Sequence, residues 1–180
     1  IEELNTRGYL SYLRSRGIDP NIAKTYCLEL KYSIKKEEYS ALTFKNNSGG
    51  YEIHNPYIRC CVGTKDISIV HKDKIGVQNS CCIFDNHMDF LSYKTLEAQG
   101  VSAICIEEPC DYIILNGHSN LQSCLERLGN YDKIHCFLHN DQIGRTCTDT
   151  IMGLYDRTSI NESDRYAEFL SLNRYLMQYR

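Results

Sequence analysis

Ile134-His135-Cys136-Phe137-Leu138-His139-Asn140-Asp141-Gln142-Ile143-Gly144-Arg145 is an apolar run that ends in a polar cluster, followed by a glycine and the start of a helical pattern. A matching unit lies upstream at Cys81-Cys82-Ile83-Phe84-Asp85-Asn86-His87-Met88-Asp89-Phe90. Short apolar runs bounded by turn residues read as buried strands. In open parallel sheets, ligands bind beyond the carboxyl ends of the strands. Two strands that deliver acids at those ends therefore predict a metal or phosphate site between them.

The surrounding pattern supports this placement. From about residue 80 the chain alternates strand and helix. Cys81–Asp85 is a strand, and Met88, Leu91, Thr95 and Leu96 then repeat at helical spacing up to Gly100. Asp111–Asn116 is a second strand, followed by a stripe of Leu121, Cys124, Leu125 and Leu128. Ile134–Leu138 is a third, followed by Ile143, Cys147, Ile151 and Leu154, and a last helix carries Phe169, Leu172 and Leu176. Such alternation predicts a parallel sheet with right-handed crossovers.

The first part reads differently. Glu2 to Arg16 has a helical stripe of Leu4, Leu10 and Leu13 stopped by Gly17, and Asp19-Pro20 is a helix start running to Tyr26. Leu28–Ile34, Ala41–Lys45 and Tyr51–Asn55 are strand candidates, the last two flanking Asn46-Asn47-Ser48-Gly49-Gly50 as a hairpin. Asp66–Val70 is taken as a further strand of this small antiparallel unit. The division expected is residues 1–78 as an N-terminal helical and β subdomain and residues 79–180 as an α/β domain.

Hydrophobic content of 42% with 24% charged residues describes a globular chain of 180 residues. A net charge of −3 gives no global attraction to nucleic acid, so any such binding needs a local patch. No apolar run approaches the ~20 residues that span a bilayer, which excludes a membrane-spanning helix and predicts a cytoplasmic protein without a membrane partner. The 10 cysteines include no C-x-x-C pair, and adjacent residues on a strand face opposite ways, so reduced thiols are expected. The chain opens on Ile1 and not Met, as a fragment of a longer protein would.

Carboxylates at Asp85 and Asp141 would hold Mg²⁺ or Mn²⁺ and organise phosphoryl transfer. Read from spacing alone, the same residues also serve as ordinary turns and caps.

The run Cys82-Ile83-Phe84-Asp85-Asn86-His87-Met88-Asp89-Phe90-Leu91-Ser92 resembles the first motif of the Toprim domain, and Cys136 through Arg145 resembles the second. More narrowly, the chain is similar to primase-like Toprim proteins of bacterial mobile elements. Tyr12-Leu13, Arg16-Gly17-Ile18, Ala23, Tyr26 and the Ala41–Glu52 stretch resemble the lead-in, so the likeness spans nearly the whole chain. It implies a Toprim-like parallel sheet flanked by helices, preceded by a small helical and antiparallel β subdomain. It implies acid–base and Mg²⁺-binding roles at a first-motif Glu and a second-motif Asp pair. By position these are Asp85 and His139 with Asp141, so the first acid is shortened and one acid is a histidine. Asp85 and Asp141 are the catalytic candidates, and Asp85, His139 and Asp141 the metal candidates, with Mg²⁺ or Mn²⁺ expected and Zn²⁺ allowed by His139. A closing acid is also replaced, the segment reading Leu170-Ser171-Leu172-Asn173. Asp89 and Asp149 are the acids available to compensate, although Asp89, one turn into a helix, reads as a cap or a solvent-facing residue. The zinc ribbon that usually precedes such a region is lost or lies outside this stretch.

Lys31, Lys35, Lys36, Lys45, Arg59, Lys65, Lys72 and Lys74, interleaved with Tyr32, Tyr51 and Tyr57, offer a surface that tracks phosphates and stacks bases. Lys45, Arg59 and Lys65 are the nucleic-acid candidates, and His54 takes a position often basic in the family. The partners implied are single-stranded DNA or RNA and nucleoside triphosphates. Three readings are open: a metal-dependent nucleotidyltransferase of DNA primase type acting in replication or transfer of a mobile element, a catalytically inactive Toprim module that binds nucleic acid, and an unrelated flavodoxin-like binding domain.

Overall fold

In the computed structural model, the described residues are 1–54, 59–72 and 78–179. Tyr57 and Lys74, both part of the expected basic surface, lie outside them. The chain divides into two compact units, Ile1–Asp66 and Ile67–Arg180.

The first unit holds β1 (Glu2–Glu3), α1 (Arg7–Ser15), α2 (Pro20–Tyr26), β2 (Leu28–Ile34), β3 (Glu37–Lys45), β4 (Tyr51–His54) and β5 (Arg59–Val62). Its strands form one antiparallel sheet in sequential order. The first helix is shorter than its apolar stripe predicts, because Glu2 and Glu3 pair with Glu29 and Leu28 as an edge strand. Asp19 caps α2 by accepting from the Asn21 backbone N–H at 2.8 Å, and Pro20 supplies a first-turn residue that has no N–H to satisfy. The β3–β4 hairpin is organised by buried Asn46. Its Oδ1 accepts from Gly50 N at 2.8 Å, and its Nδ2 donates to Thr64 O at 2.7 Å and Glu52 Oε1 at 2.9 Å. A Cβ on Gly50 would lie 2.2 Å from Thr64 O, so this turn closes on glycine alone.

The second unit holds β6 (Ser68–Val70), β7 (Ser80–Phe84), α3 (His87–Ala98), β8 (Cys110–Ile114), α4 (Leu121–Leu128), β9 (Lys133–Phe137), α5 (Gln142–Leu154), β10 (Ser159–Asn161) and α6 (Leu172–Gln178). Its sheet order is β10-β9-β7-β8-β6. All neighbours are parallel except β6, which runs antiparallel to β8. Ser68–Val70 thus completes the second sheet, not the antiparallel unit in which its place in the sequence put it.

Each residue of β7 and β8 is buried, as expected of strands covered on both faces. One face carries an aliphatic and thiol core that includes Ile83, Ile113, Ile134, Cys136 and Leu138, with Cys124 and Leu128 from α4 and Cys147 and Ile151 from α5. The other carries aromatic rings: Phe84 stacks on Phe137 with centroids 5.6 Å apart and meets Tyr93 of α3 at 5.2 Å. All ten cysteines are free thiols. No helix among the described residues is long and apolar enough to cross a membrane.

The strand order fixes where a ligand could sit. From β7 the chain moves one way to β8, then crosses back over β7 to β9 on its other side. The carboxyl ends of β7 and β9 therefore flank a topological switch point, where the loops splay apart and open a crevice.

Candidate functional site

Phe84 is in register with Phe137, so Asp85 and His139 leave adjacent strand ends. Asp85 is buried and its Oδ2 accepts from the His139 backbone N–H at 2.6 Å. The same oxygen lies 3.9 Å from His139 Nδ1, while His139 Nε2 lies 2.8 Å from Asp89 Oδ2. The imidazole thus sits between two carboxylates.

Asp89 was expected to cap or to face solvent. It is 1% exposed and all of its bonds point into the site. Oδ2 accepts from Asn86 Nδ2 at 2.9 Å as well as facing His139, and Oδ1 accepts from the Asn173 backbone N–H at 3.0 Å. Asn86 Nδ2 also lies 3.4 Å from His139 Nε2, the geometry of two donors meeting on one carboxylate oxygen. A carboxylate is buried here because α3 has few outward positions: nine of its residues are buried, among them Phe90, Leu91, Tyr93 and Leu96. That run of large apolar residues around Asp89 was the available signal.

Asn86 caps α3, its Oδ1 accepting from Met88 N at 2.9 Å and Asp89 N at 3.3 Å. Asp141 caps α5 in the same way, Oδ1 accepting from Gly144 N at 2.8 Å. Gly144 lets the helix press on the strand end, since a Cβ there would lie 2.3 Å from His139 O. Ser171, in the place of the closing acid, caps α6 by accepting from Arg174 N at 3.3 Å. Asn140 ties the loop before α6 to this end of the sheet. Its N–H donates to Leu170 O at 2.8 Å, and its Nδ2 lies 2.9 Å from Phe169 O and 3.2 Å from Tyr166 O. Asp149 is exposed on α5.

The environment sets the protonation states. Burial pulls the His139 imidazole down, but the hydrogen bond to Asp89 and the charges of Asp89, Asp85 and Asp141 more than reverse this and hold it at about 9. Burial pushes Asp85 up to about 6, with His139 opposing and Asp89 adding to the rise. At neutral pH the site holds an imidazolium among carboxylates.

A Mg²⁺ or Mn²⁺ ion needs oxygen ligands that are free to turn toward it. Here both oxygens of Asp89 are engaged, one oxygen of Asp85 binds backbone, and one of Asp141 caps a helix. The ring nitrogen that a Zn²⁺ would use, His139 Nε2, is already bonded to Asp89 Oδ2. Among the described residues no three His, Cys, Asp or Glu side chains are grouped to hold a metal ion. The residues present do not fit the divalent ion that the resemblance implied.

Sequence reading missed a second buried ion group in this unit. His135, on β9, places Nδ1 2.7 Å from Glu162 Oε1 and Nε2 3.1 Å from Glu108 Oε1. Arg165 also bonds Glu162, and Lys133 reaches Glu108 at 2.7 Å.

In the first unit, Lys45 and Lys65 are chain neighbours of Asn46 and Thr64, the two residues joined by the 2.7 Å bond, and both lysines are exposed. Arg59 is exposed too, but it pairs with His54, whereas Lys45 pairs with Tyr51 at the other end of β4. Those rows are three residues apart, roughly 10 Å along the strand. His54 itself is buried, its Nε2 3.0 Å from Tyr12 Oη, and offers no basic contact to solvent.

Among solved structures, the chain is similar to the crystal structure of the primase fragment of the bacteriophage T7 primase-helicase protein. The TM-score is 0.62 at 13% identity, over 99% of this chain and 74% of that one. The chain has a primase-like fold. It is also similar to a bacteriophage T7 structure in which the lagging-strand DNA polymerase interacts with primase domains of two gp4 subunits bound to an RNA/DNA hybrid and dTTP. There the TM-score is 0.50 at 12% identity, over 90% of this chain and 83% of that one. Residues 1–63 match a family described as a domain of unknown function, DUF8464. No curated protein matches the chain.

Proposed function

We propose that this chain is a primase-like module of the Toprim type that binds single-stranded nucleic acid without joining nucleotides. One observation carries the reading: a primase-like fold spans the chain, yet the strand ends that flank its switch point hold an imidazolium between Asp85 and Asp89 in place of carboxylates open to a metal. Binding is assigned to the first unit, where Lys45 and Lys65 flank one end of the antiparallel sheet and Arg59 the other. Backbone phosphates are the ligand such cations take, and the contact is read without regard to base sequence. A setting in replication or transfer of a mobile element rests on the sequence resemblance alone.

The second reading is a metal-dependent nucleotidyltransferase with Asp85 as general base and Asp141 as metal ligand. It is favoured by the Asp85 carboxyl, which burial brings to about 6, close to where a base works best. Incubation with nucleoside triphosphates, a single-stranded template and Mg²⁺ or Mn²⁺ separates the two. The proposal expects template binding and no oligonucleotide product. Product that disappears in Asp141→Asn would establish the enzyme instead.

A further inference from the structure

The ion group at the switch point joins four elements. Asp85 ends β7, His139 follows β9, Asp89 lies on α3, and Asn173 on α6 donates its backbone N–H to Asp89. A second bond, Asn173 Nδ2 to Ser92 Oγ at 2.8 Å, fixes α6 to α3 beside it. Without the ring, Asp85 and Asp89 would be two buried neighbouring carboxylates, each disfavouring ionisation of the other.

We propose that the His139 ring, bonded to Asp89 and facing Asp85, fills the centre of this carboxylate cluster and excludes a divalent metal ion by holding the position such an ion would take. The inference concerns the ion group alone and stands whether or not the chain binds nucleic acid. It has a specific consequence: His139→Asp should create a divalent-cation site in one step. That exchange replaces the ring by a carboxylate and clears its volume between Asp85 and Asp89. It also frees Asp89 Oδ2 from His139. His139→Asn removes the ring and adds no acid, so it serves as the control.

The probe is Mn²⁺ alone, followed by water-proton relaxation on the full chain. Wild type and His139→Asn are expected to show no saturable binding below about 1 mM. His139→Asp is expected to take up one ion at least about tenfold more tightly, with a melting temperature that rises in Mn²⁺ and falls in EDTA. Wild type that binds Mn²⁺ as tightly as His139→Asp would overturn the proposal, as would a folded His139→Asp that binds none. Should His139→Asp fail to fold, Mn²⁺ broadening of the wild-type His139 ring nitrogen-15 signals decides the matter. No saturable broadening is expected up to about 1 mM, and saturable broadening there would overturn it.

Discussion

Raising the pH should remove the stabilisation that His139 provides, and His139→Gln should isolate it. The folded imidazole titrates near 9 against an ordinary value of 6.5. A group whose folded value is raised stabilises fully below its unfolded value and loses that contribution as pH rises through the folded one. The window is therefore pH 6.5 to about 9, and the difference corresponds to ~3 kcal/mol across it. His139 is only 20% exposed by side chain, so solvent screening takes a small part of this. His135, also raised by Glu162 and Glu108 against the effect of burial, titrates in both proteins and cancels in the comparison. Urea unfolding should be followed by far-ultraviolet circular dichroism, because the chain has no Trp to report on the core. Between pH 6 and 9.5 the wild type should lose up to ~3 kcal/mol more than His139→Gln, the difference being reduced because Asp85 rises further in the variant once His139 is gone. Curves for the two proteins that run parallel to within about 0.5 kcal/mol would show that His139 carries no charge in the folded state.

Three substitutions probe the scaffold of the site. Gly144→Ala places a methyl group against His139 O and should cost about 1–3 kcal/mol, read as a lower urea midpoint with an unchanged slope. Asn140→Ala leaves the carbonyls of Phe169 and Tyr166 without their shared donor. It should cost ~1–3 kcal/mol and raise amide exchange in residues 163–171 before the core strands. Glu162→Ala strips His135 Nδ1 and Arg165 of their buried partner and should cost ~3–5 kcal/mol, a far larger loss than Glu126→Ala on the exposed face of α4. Equal losses for those two would refute the buried role given to Glu162.

How far the sequence could be read depended on whether local chemistry or a distant partner decided each feature. The Asp19-Pro20 helix start and the apolar strands expected at 81–85 and 134–138 follow from near neighbours, and the structure has them, the strands one residue earlier. The β2–β3 turn did not announce itself, because Lys35 and Lys36 adopt positive φ of 50° and 72° where Asn or Gly is the usual signal. β6 is a three-residue strand whose pattern cannot say that its partner is β8, more than forty positions on. β5 and β10, of four and three residues, carry too little pattern to be read as strands. At the site, motif order located Asp85, His139 and Asp141 correctly on adjoining strand ends. What it could not give was the direction of each bond. Asp141 turns to its own helix, and Asp89, a charged residue that statistics place at the surface, is carried inside by a helix buried nearly all round.

The role proposed for this primase-like chain is to hold single-stranded nucleic acid through the cations of its first unit. Fluorescence anisotropy of a labelled single-stranded oligonucleotide, titrated at rising salt without added metal, tests it most directly. The logarithm of the binding constant should fall linearly with the logarithm of salt concentration, with a slope reduced by about 0.7 for each of Lys45→Gln and Lys65→Gln. Association that is absent at low salt, or that ignores salt and both lysines, would contradict it.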